Sequence, residues 1–113
     1  MRELRNKKII IVGMAKSGLS AALLLKSKQA DVFVTDSKSG NELELAISVL
    51  ENAGIPFETG QHSIKVIDDC AFLVLSPGVP EDIQIIRLAK DRGIPYYSEI
   101  EVASWFCESP IIG

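Results

Sequence analysis

Ile9-Ile10-Ile11-Val12-Gly13-Met14-Ala15-Lys16-Ser17-Gly18 is the stretch on which the fold turns. A run of consecutive apolar, β-branched residues reads as a strand buried on both faces, as strands of parallel sheets are. Lys8–Val12 is therefore expected to be the first strand. Apolar residues resume from Leu19 to Leu25, so Ser17–Lys28 is expected as a helix with Leu19, Ala22 and Leu23 on one side. A glycine-bounded turn between a buried strand and a helix start is suited to hold an anion. The first N–H groups of the helix lack intrahelical partners, and the helix dipole adds partial positive charge. The turn departs from the dinucleotide fingerprint G-x-G-x-x-G, because Ala15 stands at the second glycine position. Its methyl group restricts the approach of a dinucleotide pyrophosphate.

The same alternation continues along the chain. Val32–Thr35 reads as a second strand, followed by the polar turn Asp36-Ser37-Lys38-Ser39-Gly40. Leu43–Ala53 carries Leu43, Ile47 and Leu50 at helical spacing. Gly54-Ile55-Pro56 and Gly93-Ile94-Pro95 are helix stops, since glycine suits the position past the last turn and proline cannot continue the helix. Each stop leads into a short extended segment, Phe57–Thr59 and Tyr96–Ser98. Between them lie the apolar strand Ala71–Leu75 and the helix Glu81–Arg92, and a last helix is expected at about Ile100–Phe106. Repeated βα units imply an α/β, Rossmann-like, doubly wound fold. It should hold five mostly parallel strands in the order 3-2-1-4-5, with helices on both faces.

With 113 residues the chain suffices for one core. Its 47% hydrophobic and 24% charged content is that of a folded globular domain, and a net charge of −3 argues against a nucleic-acid partner. No apolar run approaches the roughly 20 residues of a membrane span, and no signal-peptide core precedes the first strand, which points to the cytoplasm. Cys70 and Cys107 lack metal-ligand spacing and read as reduced packing residues. His62 is the one histidine, which excludes a histidine metal cluster, and it reads as a surface loop residue. No P-loop sequence GxxxxGK[ST] and no nucleophile–base pair is present, so no catalytic or metal-binding residue is expected.

Ligands of doubly wound sheets bind at the carboxyl ends of the strands, where the strand order reverses. That point lies between the first strand and Ala71–Leu75, and the loops that leave there are Gly13–Gly18 and Ser76-Pro77-Gly78-Val79-Pro80. Gly13 permits the tight turn, Gly18 allows close helix–strand packing, and the N–H groups around Lys16, Ser17 and Gly18 can hold a pyrophosphate. Ser17 adds a hydroxyl or serves only as a helix cap, and Lys16 adds a point charge or is a solvated surface lysine. Asp36 is placed like the acid that accepts from ribose hydroxyls, or else it starts an Asx turn. Ser37 and Lys38 reach a base or sugar, or are turn residues. Pro77 and Gly78 constrain the third loop, for close approach of a ligand or as a structural turn before the next helix. Glu81 and Asp82 read as first-turn acids of that helix. Trp105 and Phe106 pack on the domain's own core or against a further domain.

Four segments taken together, Ile10 to Ser20, Val34-Thr35-Asp36, Leu75-Ser76-Pro77-Gly78-Val79 and Ser98-Glu99-Ile100-Glu101, resemble the N-terminal domain of the MurD-type Mur ligases. Their order and separations match over nearly the whole chain. The resemblance implies that the rim binds the uridine diphosphate part of UDP-N-acetylmuramoyl-L-alanine. Lys16, Ser17 and Gly18 would lie at the diphosphate, Asp36, Ser37 and Lys38 around the uridine, and Ser76, Pro77 and Gly78 along the pyrophosphate–sugar path. Pro110-Ile111-Ile112-Gly113 is similar to the segment that leads into the ATP-binding domain of the family. Residues 1–113 are thus expected to be a first domain, with central and C-terminal domains absent. By the same resemblance, the full-length ligase uses ATP and Mg²⁺ to form an acyl phosphate that D-glutamate attacks during peptidoglycan synthesis. This domain itself would hold no cofactor and catalyse nothing alone. A nicotinamide-binding domain of an oxidoreductase and a nucleotide-sensing regulatory module remain the alternatives.

Overall fold

The computed structural model of the chain describes residues 4–14, 16–38, 40–80 and 82–105. Its elements alternate as expected: β1 (Lys8–Val12), α1 (Lys16–Ser27), β2 (Asp31–Asp36), α2 (Glu44–Ala53), β3 (Phe57–Thr59), β4 (Phe72–Leu75), α3 (Gln84–Asp91), β5 (Tyr96–Ser98) and α4 (Glu99–Trp105). The five strands form one sheet in the order β3-β2-β1-β4-β5, and every pairing is parallel rather than mostly so.

The unbroken apolar run of β1 is explained by burial on both faces. Ile9 and Ile11 enter one core with α1, α2 and α4, through Ala22, Leu25, Leu50 and Val102. Ile10 and Val12 enter the other with α3, through Ile85, Ile86 and Ala89. Both helix stops take the same form: the N–H of Ile55 donates to the Leu50 carbonyl, and that of Ile94 to the Ala89 carbonyl. Each bond closes the last helical turn past its glycine.

Several boundaries differ from the sequence reading. Ala22 is buried and Leu19 packs against the core, as read, but Leu23 points outward, 41% exposed, and Ala21 and Leu25 complete the buried stripe of α1. Leu43 sits in a 3-10 turn, Asn41–Leu43, that precedes α2. The sequence does not signal a second 3-10 turn, Ile64–Ile67, which packs beside α3 and buries Ile67 in the second core. The third helix begins at Gln84, so Asp82 lies ahead of its first turn; Glu81 is outside the described residues. The last helix starts at Glu99, where Ser98 and Glu101 form a capping box: the Glu101 N–H donates to the Ser98 hydroxyl at 3.1 Å, and the Ser98 N–H to the Glu101 carboxylate at 3.0 Å. Trp105 packs on the domain's own sheet, edge to face with Phe72 at 5.3 Å and Tyr97 at 4.9 Å between ring centroids. Phe106 is outside the described residues.

Cys70 is a packing residue, as read. It is buried, its thiol donates to the Phe72 carbonyl at 3.0 Å, and burial pushes its pKa up. Cys107 lies outside the described residues. Among the described residues no helix is long and apolar enough to cross a membrane.

Candidate functional site

Register decides where the site lies. Val12 pairs with Thr35 on one side and with Leu75 on the other. Gly13, Asp36 and Ser76, each one residue further along, therefore stand at one level at the centre of the sheet. Asp36 is the last residue of β2 rather than a residue beyond it.

The first and third loops interlock behind the rim. The Ser76 N–H donates to the Val12 carbonyl at 3.0 Å, and the Ser76 hydroxyl, almost fully buried, donates to the Gly13 carbonyl at 3.1 Å. Gly13 has φ +106°, and its N–H donates to the Thr35 carbonyl at 2.7 Å. A side chain on Gly18 would collide with the Ser76 hydroxyl and lie 2.5 Å from the Gly13 carbonyl oxygen. Gly18 is thus the point where α1 crosses both loops. The Ser76 carbonyl accepts the Val79 N–H at 3.2 Å, with Pro77 second and Gly78 third at φ +86°. This is the type II turn that a Pro-Gly pair favours.

The second loop is tied to the first through Asp36. Its Oδ2 accepts the Met14 N–H at 2.7 Å and its Oδ1 accepts the Lys38 N–H at 2.8 Å. The second bond is the Asx turn considered from the sequence. The first is a bond between loops that no local pattern reveals. Each carboxylate oxygen keeps a further lone pair for a ligand hydroxyl.

Together the loops enclose a cleft of about 530 Å³, lined by Gly13, Lys16, Asp36, Ser37, Lys38, Ser76, Pro77 and Gly78, with Met14, Leu43, Val79 and Pro80. Of the other sequence-predicted residues, Gly18 packs behind the cleft. Ser17 lies in the first turn of α1, its side chain outside the described set, and Ala15 is outside the described residues. The start of α1 and the Lys16 and Lys38 side chains make the cleft suited to an anion. A second depression of about 350 Å³ lies across the Ser76-Pro77-Gly78 ridge, against Tyr96 to Glu101.

Sequence reasoning missed what stands behind Asp36. Thr35 is fully buried, and its hydroxyl lies 2.8 Å from Glu58 Oε2, 3.2 Å from the Gln61 carbonyl and 2.9 Å from His62 Nδ1. Glu58 also accepts the Ser63 N–H at 2.7 Å and the Ser63 hydroxyl at 2.6 Å. His62 is a loop residue, as expected, but half-buried and turned onto Thr35. The signal was the Thr35↔Glu58 register, which becomes visible only once β3 pairs with β2.

This network makes stability pH-dependent. Burial, the largest influence on His62, holds its pKa below the ordinary 6.5, with Asp36 and Glu58 pulling it back up. Burial pushes the Glu58 carboxyl up, but the bonds from Ser63 and Thr35, with His62 nearby, outweigh it and hold Glu58 below its ordinary 4.5. In both cases the unfolded chain binds the proton more readily, so stability falls with falling pH. The His62 contribution starts to be lost below about 6.5 and the Glu58 contribution below about 4.5. Urea midpoints measured between about pH 8 and pH 4 should show both declines. His62→Asn should abolish the first and leave the second. A midpoint that stays level over that range would refute this account.

Residues 7–98 match the Mur ligase MurD-like, N-terminal domain family. The chain belongs to that family. It is 44% identical over 111 residues, 98% of its length, to a UDP-N-acetylmuramoylalanine–D-glutamate ligase of Chlorobaculum tepidum, and spans 23% of that relative. The UDP-N-acetylmuramate–alanine ligase MurC of Thermotoga maritima is similar in structure, with TM-score 0.66 and 27% identity over 83% of this chain and 21% of that one. A pseudomurein peptide ligase of Methanothermus fervidus, 23% identical, shares the fold with TM-score 0.73 over 93% of this chain and 21% of its own. The MurD-like domain thus accounts for the sheet order and for the whole span that holds the three loops.

Proposed function

We propose that this MurD-like domain binds the uridine diphosphate part of UDP-N-acetylmuramoyl-L-alanine, as the N-terminal part of a longer, cytoplasmic, ATP-dependent ligase that adds D-glutamate in peptidoglycan synthesis. The observation that carries this reading is the convergence of the three loops on one cleft of about 530 Å³, in a chain whose relatives bear that ligase's name. The cleft combines the features a nucleoside diphosphate needs. The start of α1 and Lys16 meet the diphosphate. Asp36 accepts from ribose hydroxyls, and Ser37 and Lys38 border the base. Ser76, Pro77 and Gly78 form the wall along which the sugar leaves the cleft, and the depression beyond them gives it room.

On this reading ATP and Mg²⁺ act in the remainder of a longer chain. The sequence has no GxxxxGK[ST] loop, and among the described residues no group of three His, Cys, Asp or Glu side chains could hold a metal ion. The chain's own contribution is to bind and orient the nucleotide end of the substrate. The central and C-terminal domains of a longer chain would carry the ligation. The nicotinamide and regulatory readings are less favoured, because the family matched is that of the Mur ligases.

Titration of the 113-residue chain with UDP-N-acetylmuramoyl-L-alanine, UDP and NADH tests the reading, by calorimetry and amide chemical shifts. The two uridine ligands should bind and shift Lys16, Ser37, Lys38 and Gly78, while NADH leaves these amides unmoved. Binding of NADH with no response to either uridine ligand would overturn it.

A further inference from the structure

Directly behind the cleft, one buried hydroxyl joins the ends of two strands. Thr35 Oγ1 has Glu58 Oε2 at 2.8 Å, His62 Nδ1 at 2.9 Å and the Gln61 carbonyl at 3.2 Å. A threonine hydroxyl has a single proton to donate. The carboxylate is the nearest and the charged acceptor, so it takes that proton, and the lone pairs of the hydroxyl are left to accept. His62 must then carry its own proton on Nδ1 and donate to Thr35. This hydrogen bond fixes the imidazole tautomer and the course of the Gly60–Ser63 loop. The same loop reaches the rim directly, since the Gly60 N–H donates to the Lys38 carbonyl at 2.9 Å. The loop Asp36-Ser37-Lys38 is therefore held from two sides: by Met14 through the Asp36 carboxylate, and by Gly60 through the Lys38 carbonyl.

We infer that His62 is a positioning residue for the nucleotide cleft, acting through Thr35 and the Gly60–Lys38 bond to hold Ser37 and Lys38 in their binding conformation. His62 does not line the cleft, so its effect on a ligand passes through the loop. The inference rests on the proposed binding of a nucleoside diphosphate between these loops.

The test is titration of UDP into the 113-residue chain and its His62→Ala, His62→Asn and His62→Gln variants. The asparagine amide places an N–H where Nδ1 stands, whereas the glutamine amide nitrogen falls where Nε2 stands. His62→Ala should weaken UDP binding about tenfold, the equivalent of one net hydrogen bond. His62→Asn should return to within about twofold of the parent chain, and His62→Gln should stay with the alanine variant. The amide resonances of Ser37, Lys38 and Gly60 should move in the alanine and glutamine variants and return in the asparagine variant, which a general loss of stability would not produce. Should His62→Ala fail to fold, the asparagine–glutamine comparison decides alone. Equal UDP affinity in parent and His62→Ala, or in Asn and Gln variants, overturns the inference and leaves the cleft reading standing. No UDP binding by the parent chain overturns both.

Discussion

Gly18→Ala will lower the stability of the domain by about 3 kcal/mol, the upper range for forcing a methyl group into a filled site. Gly18 lies within α1, where alanine is normally the better residue by about 1 kcal/mol. The opposite sign here follows from tertiary contact. A β-carbon at this position meets the Ser76 hydroxyl and comes within 2.5 Å of the Gly13 carbonyl oxygen. A side-chain rotation can move the hydroxyl, but the carbonyl belongs to a backbone that the β1–β2 ladder holds through the Gly13–Thr35 bond. Ser76→Ala alone should cost only about 1 kcal/mol, for the bond to Gly13. Added to Gly18→Ala, it should recover less than half of the loss, because the backbone clash remains. A melting point about 10 °C below that of the parent chain is expected for Gly18→Ala. A variant melting with the parent would show that α1 does not press on the loop.

Asp36→Ala should weaken UDP binding by about ten- to a hundredfold, as expected for losing charge-assisted bonds of roughly 1.5–3 kcal/mol. The carboxylate accepts from Met14 at 2.7 Å and Lys38 at 2.8 Å, so its removal frees both loops that border the cleft at once. Asp36→Asn should be nearly as damaging. An amide has one acceptor oxygen for two backbone donors, and its NH₂ group would face the other N–H. Asp36 is half-exposed at the strand end, so a cooperative fold should survive in both variants. Calorimetry gives the affinity, and the Met14 and Lys38 amide resonances report the loops. Displaced resonances with unchanged UDP affinity would leave Asp36 as a turn residue alone.

How much of this was legible depends on the range of each interaction. The bounds of β1, β3 and β5 coincide with the sequence reading, because strands buried on two faces and glycine–proline stops are written in adjacent residues. The start of α3 was displaced by three residues. Ile83 stays extended (φ −71°, ψ 157°), and Asp82 lies in a turn ahead of the helix. Leu23, Leu24 and Leu25 are alike in sequence, and only the packing of α1 on the sheet places Leu25 in the core and leaves Leu23 exposed. The three loops of the cleft were located correctly from strand order. The Thr35–Glu58–His62 cluster was not, since it joins residues 23 and 27 apart through strand register.

By itself the amino-acid sequence determined the alternation of strands and helices, the doubly wound order and the loops that meet at the centre of the sheet. Periodicity and chain punctuation are local, and βα crossovers have one favoured hand. Only the tertiary structure decided what those loops do to one another. Ser76 became a buried strut for Gly13, Gly18 a contact with no room for a methyl group, Asp36 a clamp between two loops, and His62 a partner of Thr35 behind them. Each of these roles is set by hydrogen-bond and van der Waals distances between segments far apart in the chain. Such distances come into being when the strands pair in register.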